Sequence, residues 1–287
     1  MSLRFAHGAR MPSKRPLGLF VSFVVAMSTL TAVVTPTAGA ATTKTKPAAK
    51  VSKKGATTPA PTPTTVPGQA CTDPRVDTST RWGGLTDGNY YVGNDMWNTP
   101  ATPSSGVGSQ TIHVCSHSSW YVVSDQPATS TVKTYPNVQE SFKTVPVTKF
   151  TTLTSTFAES DPHVGIYEDA YDMWLNGVAD STDNEVMIWN ENHGQWPSGH
   201  DVATVTLGGR TYTVWVTPYD RYIAFVATSD FTSGTLNLLQ FYDWLMGRDW
   251  IPANSVVDQI DYGVEVCSTD STPATFDFTN FSISATT

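Results

Sequence analysis

The chain has 287 residues, 39% of them hydrophobic and 15% charged, with a formal net charge of −8. All 25 acidic residues lie beyond position 70, where only eight of the 17 lysines and arginines remain, so residues 71–287 carry a net charge of −17. A field of that sign excludes nucleic acid and anionic membrane as partners and leaves an uncharged polymer as the natural extended ligand.

Residues 1–40 open with Arg4, Arg10, Lys14 and Arg15, continue through an apolar run from Leu17 to Val34, and end in Ala38-Gly39-Ala40. A basic start, an apolar middle and an A-x-A site are the parts of a secretory signal peptide, with cleavage expected after Ala40. Ser22, Ser28, Thr29 and Thr31 weaken the run as a membrane anchor. The expectation is a secreted, extracellular protein that leaves the membrane once the signal is removed. Residues 41–70 are nearly all Ala, Thr, Lys, Pro, Val and Ser without an aromatic residue. Such a segment buries too little surface to offset the entropy of ordering, so it reads as a disordered linker.

The remaining residues, 71–287, read as one domain of β texture. Short runs of Val, Thr, Tyr, Phe and Trp are punctuated by Gly, Pro, Asn and Asp, the spacing of a sandwich or barrel. The pattern predicts strands at 88–93, 110–115, 119–124, 138–146, 149–159, 169–176, 184–190, 201–207, 211–217, 221–227, 256–267 and 275–284. Leu207-Gly208-Gly209-Arg210 between two alternating runs predicts a hairpin turn. One segment breaks the pattern: Leu238, Leu239, Tyr242, Leu245 and Met246 recur at helical spacing, preceded by Ser233-Gly234 and stopped near Gly247. A single helix is expected at about 236–247, on the outer face of a sheet.

Three cysteines are present, Cys71, Cys115 and Cys267. In an exported chain a Cys71–Cys115 disulfide would pin the N-terminal strand and leave Cys267 as the odd one. There is no C-x-x-C pair and the six histidines are scattered, so neither a metal nor a cofactor is expected.

Two glutamates lie inside predicted strands, where acids are disfavoured. In Asn184-Glu185-Val186-Met187-Ile188-Trp189, alternation sends Val186 and Ile188 to an aliphatic core face and Glu185, Met187 and Trp189 to the other. In Tyr262-Gly263-Val264-Glu265-Val266-Cys267, Gly263, Glu265 and Cys267 share the outward face, and a glycine in mid-strand implies that something approaches the backbone closely. A third strand places Asp172 and Trp174 on one face, where the aspartate could hydrogen-bond Glu185. Singly, each acid is equally compatible with the wet face of an antiparallel sheet. Three acids, two of them on strands that also carry tryptophans, argue for a lined cleft, because sugar C–H faces stack on aromatic rings. Alternation does not reveal whether the two glutamates are close. If they are, one can protonate a leaving glycosidic oxygen while the other meets the oxocarbenium-like carbon, without a metal.

These residues carry a family resemblance. Tyr90-Tyr91-Val92-Gly93-Asn94-Asp95-Met96-Trp97, Ala170-Tyr171-Asp172-Met173-Trp174-Leu175, Glu185-Val186-Met187-Ile188-Trp189, and Ile260-Asp261-Tyr262-Gly263-Val264-Glu265, with a final strand at Phe278–Ser284, resemble glycoside hydrolase family 12, the small endoglucanases and xyloglucanases. The E-V-M-I-W strand is the most specific of these, and Cys71 and Cys115 are placed like the family's N-terminal disulfide. The resemblance implies an all-β jelly-roll sandwich of two curved antiparallel sheets, a single α-helix and a concave substrate cleft. It implies Glu185 as nucleophile, Glu265 as general acid/base and Asp172 as orienting partner. It also implies Trp97 as a stacking platform, Met187 and Trp189 as the cleft floor, and Pro197-Ser198-Gly199 as a loop crossing the cleft. Asp95 departs from the family's usual asparagine, and Cys267 stands where a bulky residue is common. Trp196, in a distinctive loop, could add a stacking surface or simply pack.

The expected function is a secreted, monomeric, retaining endo-β-1,4-glucanase acting on cellulose, mixed-linkage glucan or xyloglucan. The rival readings are a non-catalytic carbohydrate-binding sandwich, a xylanase of related jelly-roll type, and, more remotely, a metal hydrolase using His193 and His200.

Overall fold

A computed structural model describes residues 68–99, 108–179, 183–217 and 221–287. The expected signal peptide and all but the last three residues of the expected linker lie outside them. The described strands are, in chain order, β1 (Val76–Thr78), β2 (Gly84–Asp87), β3 (Tyr90–Gly93), β4 (Ser109–Ser116), β5 (Ser119–Asp125), β6 (Asn137–Pro146), β7 (Thr152–Ser160) and β8 (Ile166–Leu175). There follow β9 (Asn184–His193), β10 (His200–Leu207), β11 (Arg210–Val216), β12 (Tyr222–Ala227), β13 (Ser233–Asn237), the helix α1 (Leu239–Met246), β14 (Val256–Ser268) and β15 (Ala274–Thr286).

These strands form two sheets, one of six in the order β1-β4-β5-β15-β7-β13 and one of nine in the order β10-β11-β12-β9-β8-β14-β6-β3-β2. Every described pairing is antiparallel except β9 with β12, which run parallel with Glu185 beside Tyr222. The core lies between the sheets. From the larger sheet it takes Val186 and Ile188 of β9, Tyr171 of β8 and Tyr262 of β14; from the smaller, Phe157, Phe278 and Phe281. Tyr262 ties the two layers together: its ring stacks on Phe281 at 5.7 Å and meets Phe278 edge-on at 5.7 Å. Each such fully buried ring contributes about 1.5–3 kcal/mol of burial.

All twelve strands expected from the pattern are present. Three were not legible: β1 and β2 are too short to alternate, and β13 takes up Leu236 and Asn237, where the helix was expected to begin. Ser233–Asn237 pairs along β7, with the Thr235 and Thr156 hydroxyls 3.1 Å apart, so α1 begins at Leu239 and not at 236. The helix also packs on the core face of the larger sheet, not on an outer face. Phe241 meets Tyr212 at 5.3 Å and Phe225 at 5.0 Å, both edge-on, which extends the core past the edge of the smaller sheet. Among the described residues no helix is long and apolar enough to cross a membrane.

The hairpin between β10 and β11 turns at Gly208 and Gly209, with φ +58° and +83°, values that two-residue turns of this hand require. Cys71 and Cys115 form a disulfide, and Cys267 is free and buried. The close approach expected at Gly263 comes from the neighbouring strand: a β-carbon there would sit 2.1 Å from the Pro136 carbonyl oxygen. Gly263→Ala therefore forces β14 and β6 apart. Its urea midpoint should fall by the equivalent of about 2–3 kcal/mol, the scale of an overpacked core, and an unchanged midpoint would show that the strands yield freely.

Candidate active site

Strand β8 runs through the centre of the larger sheet, and alternation puts Glu168, Ala170, Asp172 and Trp174 on the face turned away from the core. The neighbouring strands add to that face by register. On β14, Glu265 stands opposite Glu168 and Asp261 opposite Asp172. On β9, Met187 stands opposite Asp172 and Glu185 opposite Trp174. Glu185, Asp172 and Glu265 thus share one face, as alternation implied.

Along β8 the partners of the two glutamates, Trp174 and Glu168, would be about 20 Å apart on a straight strand. The carboxyls are nonetheless within each other's field: burial, then the charge of Glu265, then that of Asp183, raise the Glu185 pKa to about 8. A bulge lies between the two points, because β9 slips in one extra residue, Asn190, opposite the Asp169–Ala170 step. Bulges bend the strand that carries them and increase its local twist.

Burial and repulsion dominate the titration of this face. Asp172 is pushed well above the usual carboxylate range by burial, then by Glu185, Asp261 and Glu265. Asp261 rises to about 8 through burial and the charge of Asp95, partly offset by hydrogen bonds from Gln259 and Trp174. Glu168 has no exposed surface, and among the described residues no N–H or O–H group outside the carboxyl pair donates to it. Burial and the adjoining Glu265 carboxyl hold it well above its ordinary value, so it keeps its proton and can donate to Glu265. Glu265 is itself raised by burial, while hydrogen bonds from Glu168 and Gln195 favour its charged form and limit the rise.

Gln195 was not found by sequence reasoning. Its amide Nε2 donates to Glu265 Oε2 at 3.2 Å, and its Oε1 accepts from the Cys267 thiol at 3.1 Å. The backbone N–H of Gln195 donates to Asn192 Oδ1 at 2.9 Å, so the loop that carries it is fixed on β9. Cys267 is therefore a buried hydrogen-bond donor: its thiol is pushed up to about 12 by burial and by the charge of Glu265. Tyr222 was missed as well. It lies beside Glu185, and burial with the charges of Glu185, Glu265, Glu168 and Asp172 raises its phenol. Its strand was predicted, but only the parallel pairing of β12 with β9, which no local pattern encodes, puts it here.

The remaining expected residues divide by exposure. Trp97 is 37% exposed on the loop after β3. Two backbone hydrogen bonds, Asn98 N–H to the Lys133 carbonyl and Lys133 N–H to the Val266 carbonyl, tie that loop to the Glu265 strand. Asp95, half-buried in the same segment, acts on Asp261. On the far side, Trp196 is 79% exposed, meets Trp215 edge-on at 6.0 Å, and borders a recess with Asn192, Gln195 and Pro197. Met187 and Trp189 lie on the expected face but are each 1% exposed, with the indole N–H donating to the Met187 sulfur at 3.4 Å. They form the base beneath Trp215 and Tyr222 and offer little surface to a ligand. His193 Nδ1–H donates to the Gly165 carbonyl at 2.8 Å, and His200 lies three strands away on β10, about 14 Å distant, so the two do not form a metal site. The carboxylates that do converge, Glu159, Asp161 and Glu191, lie on the opposite side of the sheet.

The model of glycosyl hydrolase family 12 matches residues 88–286. The xyloglucan-specific endo-beta-1,4-glucanase A of Emericella nidulans is 26% identical over 204 residues, covering 67% of this chain and 84% of that protein. An inactive glycoside hydrolase of Phytophthora nicotianae, XLP1, is also 26% identical, over 201 residues, covering 66% and 84%. The solved xyloglucanase domain of NopAA, a type three effector from Sinorhizobium fredii in complex with cellobiose, superposes with a TM-score of 0.62 at 26% identity, over 75% of this chain and all of that one.

Carboxyls with raised pKa values bind their protons more tightly in the folded than in the unfolded chain. Their contribution to stability is present below about pH 4.5 and is lost as pH rises toward the folded value of about 8. The melting temperature in chelated buffer should fall between about pH 5 and about pH 8. Glu168→Gln keeps a donor beside Glu265 and removes one titrating group, so its fall should be shallower; a fall as steep as the parent's refutes this account.

Proposed function

The chain belongs to glycosyl hydrolase family 12, and on that premise we propose that it is a secreted, retaining endo-β-1,4-glucanase with Glu185 as nucleophile and Glu265 as general acid/base. The observation that carries the reading is one sheet face on which two half-buried glutamates feel each other's charge, with no lysine or arginine ion-paired to either among the described residues. Such a pair cannot readily hold two negative charges, so one proton stays and one carboxylate is free.

In the first step the protonated Glu265 gives its proton to the glycosidic oxygen as the bond to the anomeric carbon breaks. The Glu185 carboxylate bonds to that carbon from the other face. In the second, Glu265, now a carboxylate, takes a proton from water as the water oxygen displaces Glu185, restoring both groups and the configuration. Asp172 is diagonal to Glu185 across the β8–β9 pair and driven toward its protonated form by burial and by the charge of Glu185, which suits it to orient that carboxylate as a donor during the reaction. Gln195 holds Glu265. Trp97 on one side and Trp196 with Trp215 on the other give sugar rings apolar faces, and Asp95 offers acceptors to their hydroxyls. Stacking surfaces on both sides of the carboxyl pair suit an internal linkage of a β-glucan chain.

The field in the free protein ranks the two glutamates the other way, since Gln195 and Glu168 favour charge on Glu265 while Glu185 is raised to about 8. The assignment of roles rests on the E-V-M-I-W strand, and a stereochemical test decides it. Glu185→Gln and Glu265→Gln should each lower turnover of mixed-linkage glucan about a thousandfold or more with the fold intact by circular dichroism. Azide should rescue Glu265→Ala to a β-glycosyl azide and Glu185→Ala to an α-azide; the opposite pairing of products reverses the roles. Binding of glucan without release of reducing ends by the parent would replace the reading with a carbohydrate-binding module. Initial rates on cellulose, mixed-linkage glucan and xyloglucan in parallel identify the preferred polymer.

A further inference from the structure

Behind the proposed active site, between the two sheets, lies a second group of acids that the reaction does not use. Glu159 closes β7, Asp161 follows it in the connecting loop, Asp169 is on β8 and Glu191 on β9. The β9 bulge is what brings Glu191 here: the extra residue reverses the alternation, so Glu191 stands opposite Asp169 on the core side while Asn192 returns to the cleft side opposite Glu168. One oxygen from each of Glu159, Asp161 and Glu191 lies within 4.8 Å of the others.

Hydrogen bonds from neutral donors hold one oxygen of Glu159 and one of Glu191. Asn190 Nδ2 donates to Glu159 Oε1 at 2.8 Å, and the Tyr167 hydroxyl donates to Glu191 Oε1 at 3.0 Å. The Oε2 of Glu191 is buried without a partner among the described residues, the Glu159 carboxyl has the Tyr262 phenol as its further neighbour, and the Asp161 carboxyl meets only that of Asp169. Asp169 adds an independent sign. It has no exposed surface, no amide, hydroxyl or cation among the described residues donates to it, and its one partner there is the carboxyl of Asp161. Among the described residues no lysine or arginine is ion-paired to any of the four; His163, largely exposed, reaches Glu191 Oε1 at 3.1 Å. Buried carboxylates in such numbers are paired or coordinate a metal.

We infer that Glu159, Asp161, Asp169 and Glu191 form a binding site for a hard divalent cation of the size of calcium, which joins β7 of the smaller sheet to β8 and β9 of the larger. The donors are carboxylate oxygens, the set that calcium, magnesium and manganese prefer over zinc or copper. Ligands at about 2.4 Å from one ion stand at most about 4.8 Å apart when opposed, and the three oxygens lie within that limit. Magnesium demands a strict octahedron and gives up its water reluctantly, so an all-carboxylate set of this kind suits it less well. Asn190 and Tyr167 orient the ligating groups by holding the oxygens the ion does not use. The half-buried Asp161 and the exposed His163 border the surface and give the ion its way in. The donors come from two strands of one sheet, one strand of the other and a loop, so no spacing in the sequence announces them.

The test uses the full chain stripped of metal with EDTA and exchanged into buffer near neutral pH. Isothermal titration with calcium chloride should give one ion bound per chain, with magnesium chloride binding more weakly. At calcium about a hundredfold above its dissociation constant the melting temperature should rise by about 5–10 °C. Asp161→Asn and Asp169→Asn preserve shape and remove a charge each. In the metal-free state both should melt at or above the parent temperature, because repulsion is relieved, and both should lose the calcium-dependent rise and the titration heat. A parent that binds no calcium, or variants that keep the full rise, overturns the site. The readouts need no substrate, so they stand apart from the outcome of the glutamate variants.

Discussion

Repulsion among buried carboxyls on the two faces of β8 is the constraint around which this sandwich is arranged. Glu168 and Asp169 are neighbours in sequence and both wholly buried, yet they point to opposite sides of the sheet. One joins Asp172, Glu185, Asp261 and Glu265; the other joins Glu159, Asp161 and Glu191. Neither group has a lysine or arginine ion-paired to it among the described residues. Each therefore settles its charge by holding protons, by accepting hydrogen bonds from neutral amides and phenols, or by taking up a cation. The remainder of the fold supplies the rigidity that stops the carboxyls from moving apart. Phe157, Tyr171, Tyr262 and Phe281 pack ring against ring under β8 and β14 and fix the strands on which the acids stand.

The same packing gives the cleft its chemistry. A carboxyl that water cannot reach responds strongly to its neighbours. A small set of neutral donors therefore decides which group is charged: Gln195 and the protonated Glu168 at Glu265, Gln259 and Trp174 at Asp261. Cys267, an odd residue by any count of cysteines, has a place in this scheme. Its thiol donates to Gln195 and so helps to turn the amide N–H toward Glu265. A bulky apolar side chain there would leave the Gln195 carbonyl oxygen without that donor.

Much of this architecture was legible from the sequence because β-sheet alternation is a local property. Val186 and Ile188 against Glu185 and Met187 announced which side of β9 was core, and the same logic placed Asp172 and Glu265. What escaped was non-local. The parallel contact between β9 and β12 put Tyr222 beside Glu185, and a single extra residue in β9 turned Glu191 inward and Asn192 outward. The leucines of residues 236–246 obeyed helical spacing from the start of that segment, but the free edge of β7 recruited Ser233–Asn237 as a strand. Met187 and Trp189 were given the right face yet lie beneath Trp215 and Tyr222, because alternation reveals direction and not depth.

The disulfide near the start of the domain has a mechanical consequence. Cys71 precedes β1, a strand of three residues at the edge of the six-stranded sheet, and is bonded to Cys115 on β4, one strand further in. A pull applied to the chain ahead of Cys71 is delivered through the sulfur bridge to β4, which is hydrogen-bonded on both sides, and bypasses the short edge strand. Tension from that direction must shear a full-length strand out of the sheet before the domain yields, whereas a reduced chain would unzip one residue at a time.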